Sequence, residues 1–410
     1  MQDSEVRKML KQKRIRNVKK LNPGIKKFLV NTINSTGKFF TLFRKDKLPG
    51  EVKKILFISL YFYGDILFHS GLFELVRKLY PDAEMHIWVK SRTKGILEGY
   101  PYFKTIHIFD DIRTRRFDEN AKFNLKGKFK FFNSLKAEKY DLVYDVTGLF
   151  WTAFAVWMAN PGYSSGLNFH GFGFIYNFET KALYNGHLVD NHLNLILMNK
   201  EYNIENRIAE STRKPIYHTT QSSEAVVDNI FNDRGLLNGR KKIIIHTTAG
   251  WESKKWNINN FINIIHSLSV EYDILLIGGN EDKKNTELII NSISENVYDF
   301  TSQLSINESA ELISRADLYI GADSGPLYIA EAVGTPTLSL FGPTNPLFSA
   351  PRGLNHRFIY NELLCSSDKG FQNCKLNAGL NCKTFDCMKM IKPEEVLGLA
   401  HKLIWQIKIK

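Results

Sequence analysis

Residues Gly321–Thr344 read GADSGPLYIAEAVGTPTLSLFGPT, and the rest of the chain is interpreted outward from them. The apolar run Asp317-Leu-Tyr-Ile320 before them reads as the end of a buried strand. Asp323, Ser324 and Gly325 can turn the chain and cap a helix. Pro326 suits a first helical position, where no helix bond needs its missing N–H. Ile329, Ala330 and Ala332 continue a helix that Gly334 can close in the left-handed conformation, and Pro336 prevents its extension. Thr337–Phe341 then reads as a second strand. A strand, a turn of small residues and a helix leave backbone N–H groups at the helix start, where an anion can dock. The same turn chemistry also occurs at ordinary strand-to-helix connections of open α/β sheets.

The pattern repeats along the chain. Lys54–Leu60, Met85–Val89, Thr105–Phe109 and Tyr140–Val146 read as short buried strands, with helices over Ile66–Tyr80 and Phe129–Lys139. Trp151–Glu179 is rich in Gly, Asn and aromatics and has no clear period; Asp190–Lys200 looks helical. Arg213–Ser223 is polar, contains one proline and is the candidate linker. Alternation restarts with strands Lys242–His246 and Asp273–Ile277 and helices Asn257–Leu268, Asp282–Ile293 and Ile306–Arg315. Pro393–Ile409 is a last helix, acidic at its start and lysine-bearing at its end, as the helix dipole favours. The expected fold class is α/β, with two doubly wound, Rossmann-like domains. The expected divisions are a basic extension at 1–50, domains at 51–215 and 216–392, and a C-terminal helix at 393–410.

The string DSGPxxIAxAxGTPxxxLFGPT from Asp323 to Thr344 resembles the donor-site signature of glycosyltransferase family nine, the lipopolysaccharide heptosyltransferases. The resemblance extends over roughly residues 51–400. It implies the two-domain GT-B architecture, with substrates in a cleft between the domains and a last helix that can cross back to the first. It implies an inverting, metal-independent transfer of sugar, most readily heptose from ADP-heptose, to a lipid-linked glycan. No cofactor is implied beyond the ADP-sugar donor. Asp323, Ser324, Gly325, Pro326 and Tyr328 would then hold the diphosphate and ribose. Tyr328 stands where the family usually has His; a phenol can donate to a phosphate oxygen but carries no charge.

Asp65, in Leu60-Tyr-Phe-Tyr-Gly-Asp65, is the candidate general base. Sugar transfer with inversion requires a group to take the acceptor hydroxyl's proton, and the family has a Gly-Asp pair here. The alternative role is helix capping. In His246-Thr-Thr-Ala-Gly-Trp-Glu-Ser-Lys-Lys-Trp256, Thr247 and Thr248 can donate hydroxyls to phosphate. Lys254 or Lys255 can neutralise the departing diphosphate, and Lys254 matches the family's first lysine here. Glu281, or its neighbour Asp282, is placed by the resemblance near the ribose. Asp145-Val-Thr-Gly-Leu-Phe-Trp151 resembles an Asp-x-Gln-Gly segment, but with Thr147 for Gln and Trp151 near a position where a basic residue is common. These departures leave open a different donor sugar, or a sugar-nucleotide-binding protein without turnover.

The net charge of +13 is concentrated at one end: residues 1–50 hold fourteen Lys or Arg against three acids. Ile25, Phe28, Leu29, Ile33, Phe39, Phe40, Leu42 and Phe43 interleave with them. This favours an amphipathic arm on an anionic membrane surface over a solvated tail, and no nucleic-acid module accompanies it. The absence of a long apolar run and of a secretion signal gives the expectation of a cytoplasmic protein, peripheral at the inner face of the membrane. Cys365, Cys374, Cys382 and Cys387 are the chain's four cysteines and cluster near its end. Their spacing lacks a CxxC pair, so both reduced thiols and a structural zinc remain open. The sequence contains no GxGxxG after the first strand, P-loop, HExxH or Asp-x-Asp, which argues against nicotinamide, P-loop and metal-dependent chemistries. His187 and His192, five apart, do not share a helical face.

Overall fold

The computed structural model describes residues 49–112, 124–167, 172–180, 186–198, 213–293, 295–366, 374 and 382–407, together with 32 and 37. The membrane-arm expectation for residues 1–48 falls outside the described residues apart from those two. The chain divides into two compact units: Leu188–Arg213 closes the first, and the second comprises Lys214–Lys410 together with the short segment Tyr184–His187.

In the first unit the chain runs through β1 (Lys54–Ile58), α1 (Tyr63–Leu79), β2 (Glu84–Val89), β3 (Phe103–Ile108), α2 (Leu125–Ala137), β4 (Leu142–Asp145), α3 (Phe150–Ala159), β5 (Tyr163–Leu167), β6 (Phe178–Thr180) and α4 (Leu188–Leu193). The strands form one parallel sheet in the order β3-β2-β1-β4-β5-β6. A parallel sheet is covered on both faces, so its central strands read as continuous apolar runs. On one face Leu56, Ile58, Trp88, Phe132 and Val156 pack together. On the other Phe57 stacks on Tyr144 at 5.2 Å and meets Phe73 edge-on at 4.9 Å.

The second unit contains α5 (Gln221–Asp233), β7 (Lys242–His246), α6 (Ile258–Leu268), β8 (Asp273–Leu276), α7 (Lys283–Ser292), β9 (Val297–Asp299), α8 (Ile306–Ser314), β10 (Leu318–Ala322), α9 (Gly325–Val333), β11 (Thr337–Phe341), α10 (Pro346–Ser349), β12 (His356–Tyr360), α11 (Asp386–Lys389) and α12 (Pro393–Ile407). Its sheet is also parallel, ordered β12-β11-β10-β7-β8-β9. Counted from its own first strand, this is the winding of the first sheet. Ile243, Ile245, Ile274, Leu318, Ile320 and Leu338 are buried in its core, and fully burying such a side chain contributes about 1.5–3 kcal/mol. The last helix adds Val396, Ala400, Leu403 and Ile404 to that core. Trp256 Nε1 also donates to Ile391 O at 3.1 Å, just ahead of this helix.

Several boundaries differ from the sequence reading. Helix α1 begins at Tyr63 rather than Ile66, because Asp65 in its first turn accepts the Phe62 N–H at 3.0 Å. The candidate linker ends earlier than expected. Thr220 caps α5 by accepting the Ser223 N–H, so residues from Gln221 are helical. Helix α3 falls in the stretch that showed no period, since FWTAFAVWMA is apolar on every side.

Candidate functional site

In each sheet the chain moves one way from the first strand and the other way from the fourth, so the connections after these two neighbours diverge. The second unit places β7 beside β10, with His246 paired to Gly321 at their carboxyl ends. Gly321 permits this close approach, as a Cβ built there would stand 3.1 Å from the His246 carbonyl oxygen. Asp323 and Ser324 follow immediately.

Asp323 is 5% exposed and is held by three segments. Lys254 Nζ donates to Oδ2 at 2.6 Å and Thr344 Oγ1 donates to the same oxygen at 2.6 Å; Tyr328 donates its hydroxyl to Oδ1. Burial acts to raise the Asp323 pKa, but the Lys254 charge and the three hydrogen bonds outweigh it and hold the carboxyl below its ordinary value. Lys254 itself lies 4.6 Å over the Trp251 ring, which limits the directions its ammonium can take.

Beside this network, His246 Nδ1 and Ser324 Oγ are 3.2 Å apart, and His246 Nε2 faces Asp282 Oδ1 at 3.6 Å. The other Asp282 oxygen accepts the Gly279 N–H at 2.9 Å. Burial pushes Asp282 upward, but His246, Thr248 and the Gly279 N–H together lower its pKa. Gly278 is required here: a Cβ on it would meet the Asp282 carboxylate at 2.3 Å. Thr247 accepts from Asn285 Nδ2 at 3.3 Å.

Helix α9 starts at Gly325 with Ser324 as its N-cap residue, yet no side-chain cap bond is made. Ser324 Oγ turns to His246 and to the Ala322 carbonyl instead. In the first turn Pro326 has no N–H and the Leu327 N–H donates to Ser324 O at 3.2 Å, so the Gly325 amide is the donor at the helix start, where the dipole favours an anion. Further along the same helix Glu331 is 1% exposed; its Oε1 accepts the Arg352 N–H at 3.2 Å and its Oε2 has no hydrogen-bond partner. Burial raises the Glu331 pKa to about 7 against the opposing effect of Arg352 and Lys214.

At the corresponding point of the first unit, Thr147 ties two strand ends together. Its Oγ1 donates to Ile58 O at 3.0 Å and accepts the Leu60 N–H at 3.1 Å, while Tyr61 donates to its carbonyl at 2.9 Å. Asp145 is fully buried and accepts from Thr147 N, Gly148 N and the Tyr176 hydroxyl. Desolvation still raises its pKa. Asp65 is half-buried in the first turn of α1. The Arg92 guanidinium stands 4.1 Å over the Phe62 ring next to this turn, a cation for which the sequence carried no signal.

The structure thus brings Lys254, Asp323, Ser324 and Tyr328 together around the start of α9, with Thr247, Thr248 and His246 alongside. Tyr328 is 5% exposed and its hydroxyl donates to Asp323. Asp323 likewise faces inward, onto Lys254. Glu281 is exposed, whereas Asp282 is buried and turned to His246. His246 and Thr344 stood inside quoted strings but were not selected, and Asp282 entered only as the alternative to Glu281, because no local pattern shows which atoms these side chains meet. His192 packs edge-on against His69 at 4.2 Å in the first unit, while His187 Nε2 donates to Ala350 O at 3.2 Å in the second.

Two Rossmann-like sheets wound alike, with polar clusters at the carboxyl ends of their central strands, define a transferase of the GT-B class. The chain belongs to glycosyltransferase family 9 (heptosyltransferase), whose model matches residues 128–378. Lipopolysaccharide heptosyltransferase 3 of Escherichia coli is 25% identical over 300 residues, covering 71% of this chain and 84% of the relative. A glycosyl transferase family 9 structure from Veillonella parvula superposes with a TM-score of 0.74 at 17% identity, covering 87% of this chain and 99% of that one. ADP-heptose lps heptosyltransferase II of E. coli gives a TM-score of 0.68 at 17% identity, with coverage of 87% and 99%.

Proposed function

We propose that this chain transfers heptose from ADP-heptose to a hydroxyl of a lipid-linked lipopolysaccharide-type glycan, with inversion and without a metal at the donor. The observation that carries this reading is Lys254, fixed by Asp323 at 2.6 Å beside the uncapped first turn of α9. An ammonium has three donors, so one salt bridge leaves it able to meet a diphosphate oxygen. The Gly325 amide at the start of α9, with Ser324 and Pro326 shaping the turn, would take the same diphosphate, and Thr248 would supply a hydroxyl. Positive charge and oriented amides that meet the charge developing on the departing ADP lower the barrier to transfer. Glu281 remains our candidate for the ribose hydroxyls. Similarity to an ADP-heptose enzyme supports the choice of nucleotide.

Asp65 is the proposed base. One of its oxygens already accepts the Phe62 N–H, which also favours a second reading in which it only caps α1 and the protein binds donor without turnover. Donor binding is measured by thermal shift with ADP-heptose, ADP-glucose, UDP-glucose and GDP-mannose, since a ligand of the folded form raises the melting temperature. ADP formation is then followed with a heptose-acceptor core glycolipid. Binding of ADP-heptose with ADP release, both lost in Lys254→Ala, supports the main reading. Binding without release by any acceptor tested favours the second. Equal shifts with all four nucleotides would refute the donor assignment.

No helix among the described residues is long and apolar enough to cross a membrane. We assign membrane attachment to the basic arm, residues 1–48. Its deletion should abolish sedimentation with anionic vesicles, and unchanged sedimentation would refute the assignment.

A further inference from the structure

Alternate residues of a strand share one face of a sheet. His86 and Trp88 thus stand on the face of β2 where Trp88 packs edge-on against Phe132 of α2. The β2–β3 register pairs Trp88 with His107, which brings the second imidazole onto the same face. The two imidazole centroids are 5.6 Å apart. Helix α2 ends beside them, with Glu138 as its C-cap residue. Among the described residues, His86, His107 and Glu138 form one group able to hold a metal ion, and the four cysteines do not form another. One ligand atom from each of the three lies within 4.8 Å of the others.

A second observation points to a ligand. His86 is 2% exposed, yet its Nε2 has no hydrogen-bond partner. That nitrogen faces Glu84 Oε1 at 3.9 Å, too far for a hydrogen bond. A buried polar atom left without a partner calls for an explanation, and an ion is one. The rings are also set in place beforehand. The Tyr140 hydroxyl lies 3.0 Å from His86 Nδ1 and 2.8 Å from His107 Nε2, and Tyr140 is itself 2% exposed. Ligands already oriented by such a neighbour lose little freedom when the ion arrives. Glu138 Oε2 accepts from Lys54 Nζ at 2.9 Å, so an ion that takes this carboxylate displaces Lys54. Lys54 has another carboxylate to move to, since its Nζ is 4.0 Å from Glu84 Oε2.

We propose that His86, His107 and Glu138 bind one divalent transition-metal ion of the zinc type. Two imidazoles and a carboxylate suit zinc and its first-row neighbours, whereas calcium and magnesium take oxygen ligands. His107 and Glu138 are half-buried, which leaves the remaining position to water. The ion would tie together β2, β3 and the end of α2, which the chain joins only through long connections. His86 is the third residue of β2, near the start of its strand, whereas Asp145 and Thr147 stand at the end of β4. In a parallel sheet these are opposite edges. The site is therefore separate from the proposed transfer chemistry, and its occupancy is read without substrate.

The test uses full-length protein stripped with chelator, its cysteines capped with iodoacetamide so that thiols take up no zinc. Zinc is titrated against a competing indicator dye. Wild type is expected to bind one equivalent and to melt at a higher temperature with zinc than without it. His107→Gln and Glu138→Gln are each expected to bind at least about 10-fold more weakly, the loss that even a group outside the coordination sphere causes when removed. Lys54→Met releases Glu138 from its ion pair and is expected to bind zinc more tightly than wild type, a gain that a purely structural Lys54–Glu138 pair does not produce. Wild type and Lys54→Met keep all three ligands, so the comparison stands even where a ligand variant folds poorly. Equal affinity in wild type and both ligand variants would overturn the proposal. So would wild type that takes up no zinc, or Lys54→Met protein that binds it no more tightly.

Discussion

Glu331 provides a sensitive test of how burial is arranged around α9. Its carboxyl is 1% exposed and only one of its oxygens has a hydrogen-bond partner. Its pKa is raised from the ordinary 4.5 to about 7. A carboxyl with a raised folded-state pKa binds its proton more tightly in the folded chain. Its contribution to stability is therefore fully present below the unfolded value and is lost as pH rises through the folded one. Integrated between about pH 5 and about pH 8, this loss is about 2.5 kcal/mol. For a unit of this size it corresponds to a fall in melting temperature of about 5–10 °C. Glu331→Gln keeps the shape and removes the titration. The amide incurs its own desolvation cost, so the informative quantity is a double difference: the change in stability between the two pH values, wild type minus variant. Buried histidines elsewhere cancel in it. Calorimetry or urea unfolding at both pH values measures it. The variant is expected to be the flatter of the two, and to gain on wild type toward alkaline pH. Parallel loss of stability in both proteins would show that Glu331 ionises normally, and would refute the reasoning.

Lys254→Met leaves the Asp323 carboxylate buried without its cation, and should destabilise the second unit by about 3–5 kcal/mol. Adding Asp323→Asn should restore much of that stability without restoring donor affinity; calorimetry and nucleotide titration separate the two effects. Asp65→Asn should lower turnover by about 10²–10⁴-fold while nucleotide binding persists, and a wild-type rate would remove the base assignment. His192 is buried with its pKa lowered by desolvation to about 4, so the first unit should lose stability as pH falls from the unfolded value near 6.5 through 4. His192→Gln should reduce that acid sensitivity, measured by unfolding at a series of pH values.

The fold was legible in the sequence wherever a buried strand was bounded by turn residues. Lys242–His246 and Thr337–Phe341 match the structure at both ends, because parallel strands covered on both faces leave uninterrupted apolar runs. Phe150–Ala159 was illegible because a helix without a polar face has no period to detect. Strands β6 and β9 have three residues each, too few to carry a pattern. Among the candidate site residues, sequence identified the loops but not which atoms face one another. Nothing local to Tyr328 indicates that its hydroxyl serves Asp323, nor anything in His246 that it meets Ser324 and Asp282. The His246–Ser324 pairing follows from the register of β7 against β10, which brings residues 78 positions apart to 3.2 Å.

That register has an implication for synthesis. All six strands of the first sheet precede residue 181, and all six of the second follow residue 241. Among the described residues no strand is exchanged, so the leading half can complete its sheet while the trailing half is still on the ribosome. Within the trailing half, β7 waits for β10: the Lys242 N–H finds its Asp317 carboxylate only after 75 further residues have emerged. Until then its inner edge is an unpaired, isoleucine-rich ribbon, and a stall in translation there would expose the nascent chain to aggregation.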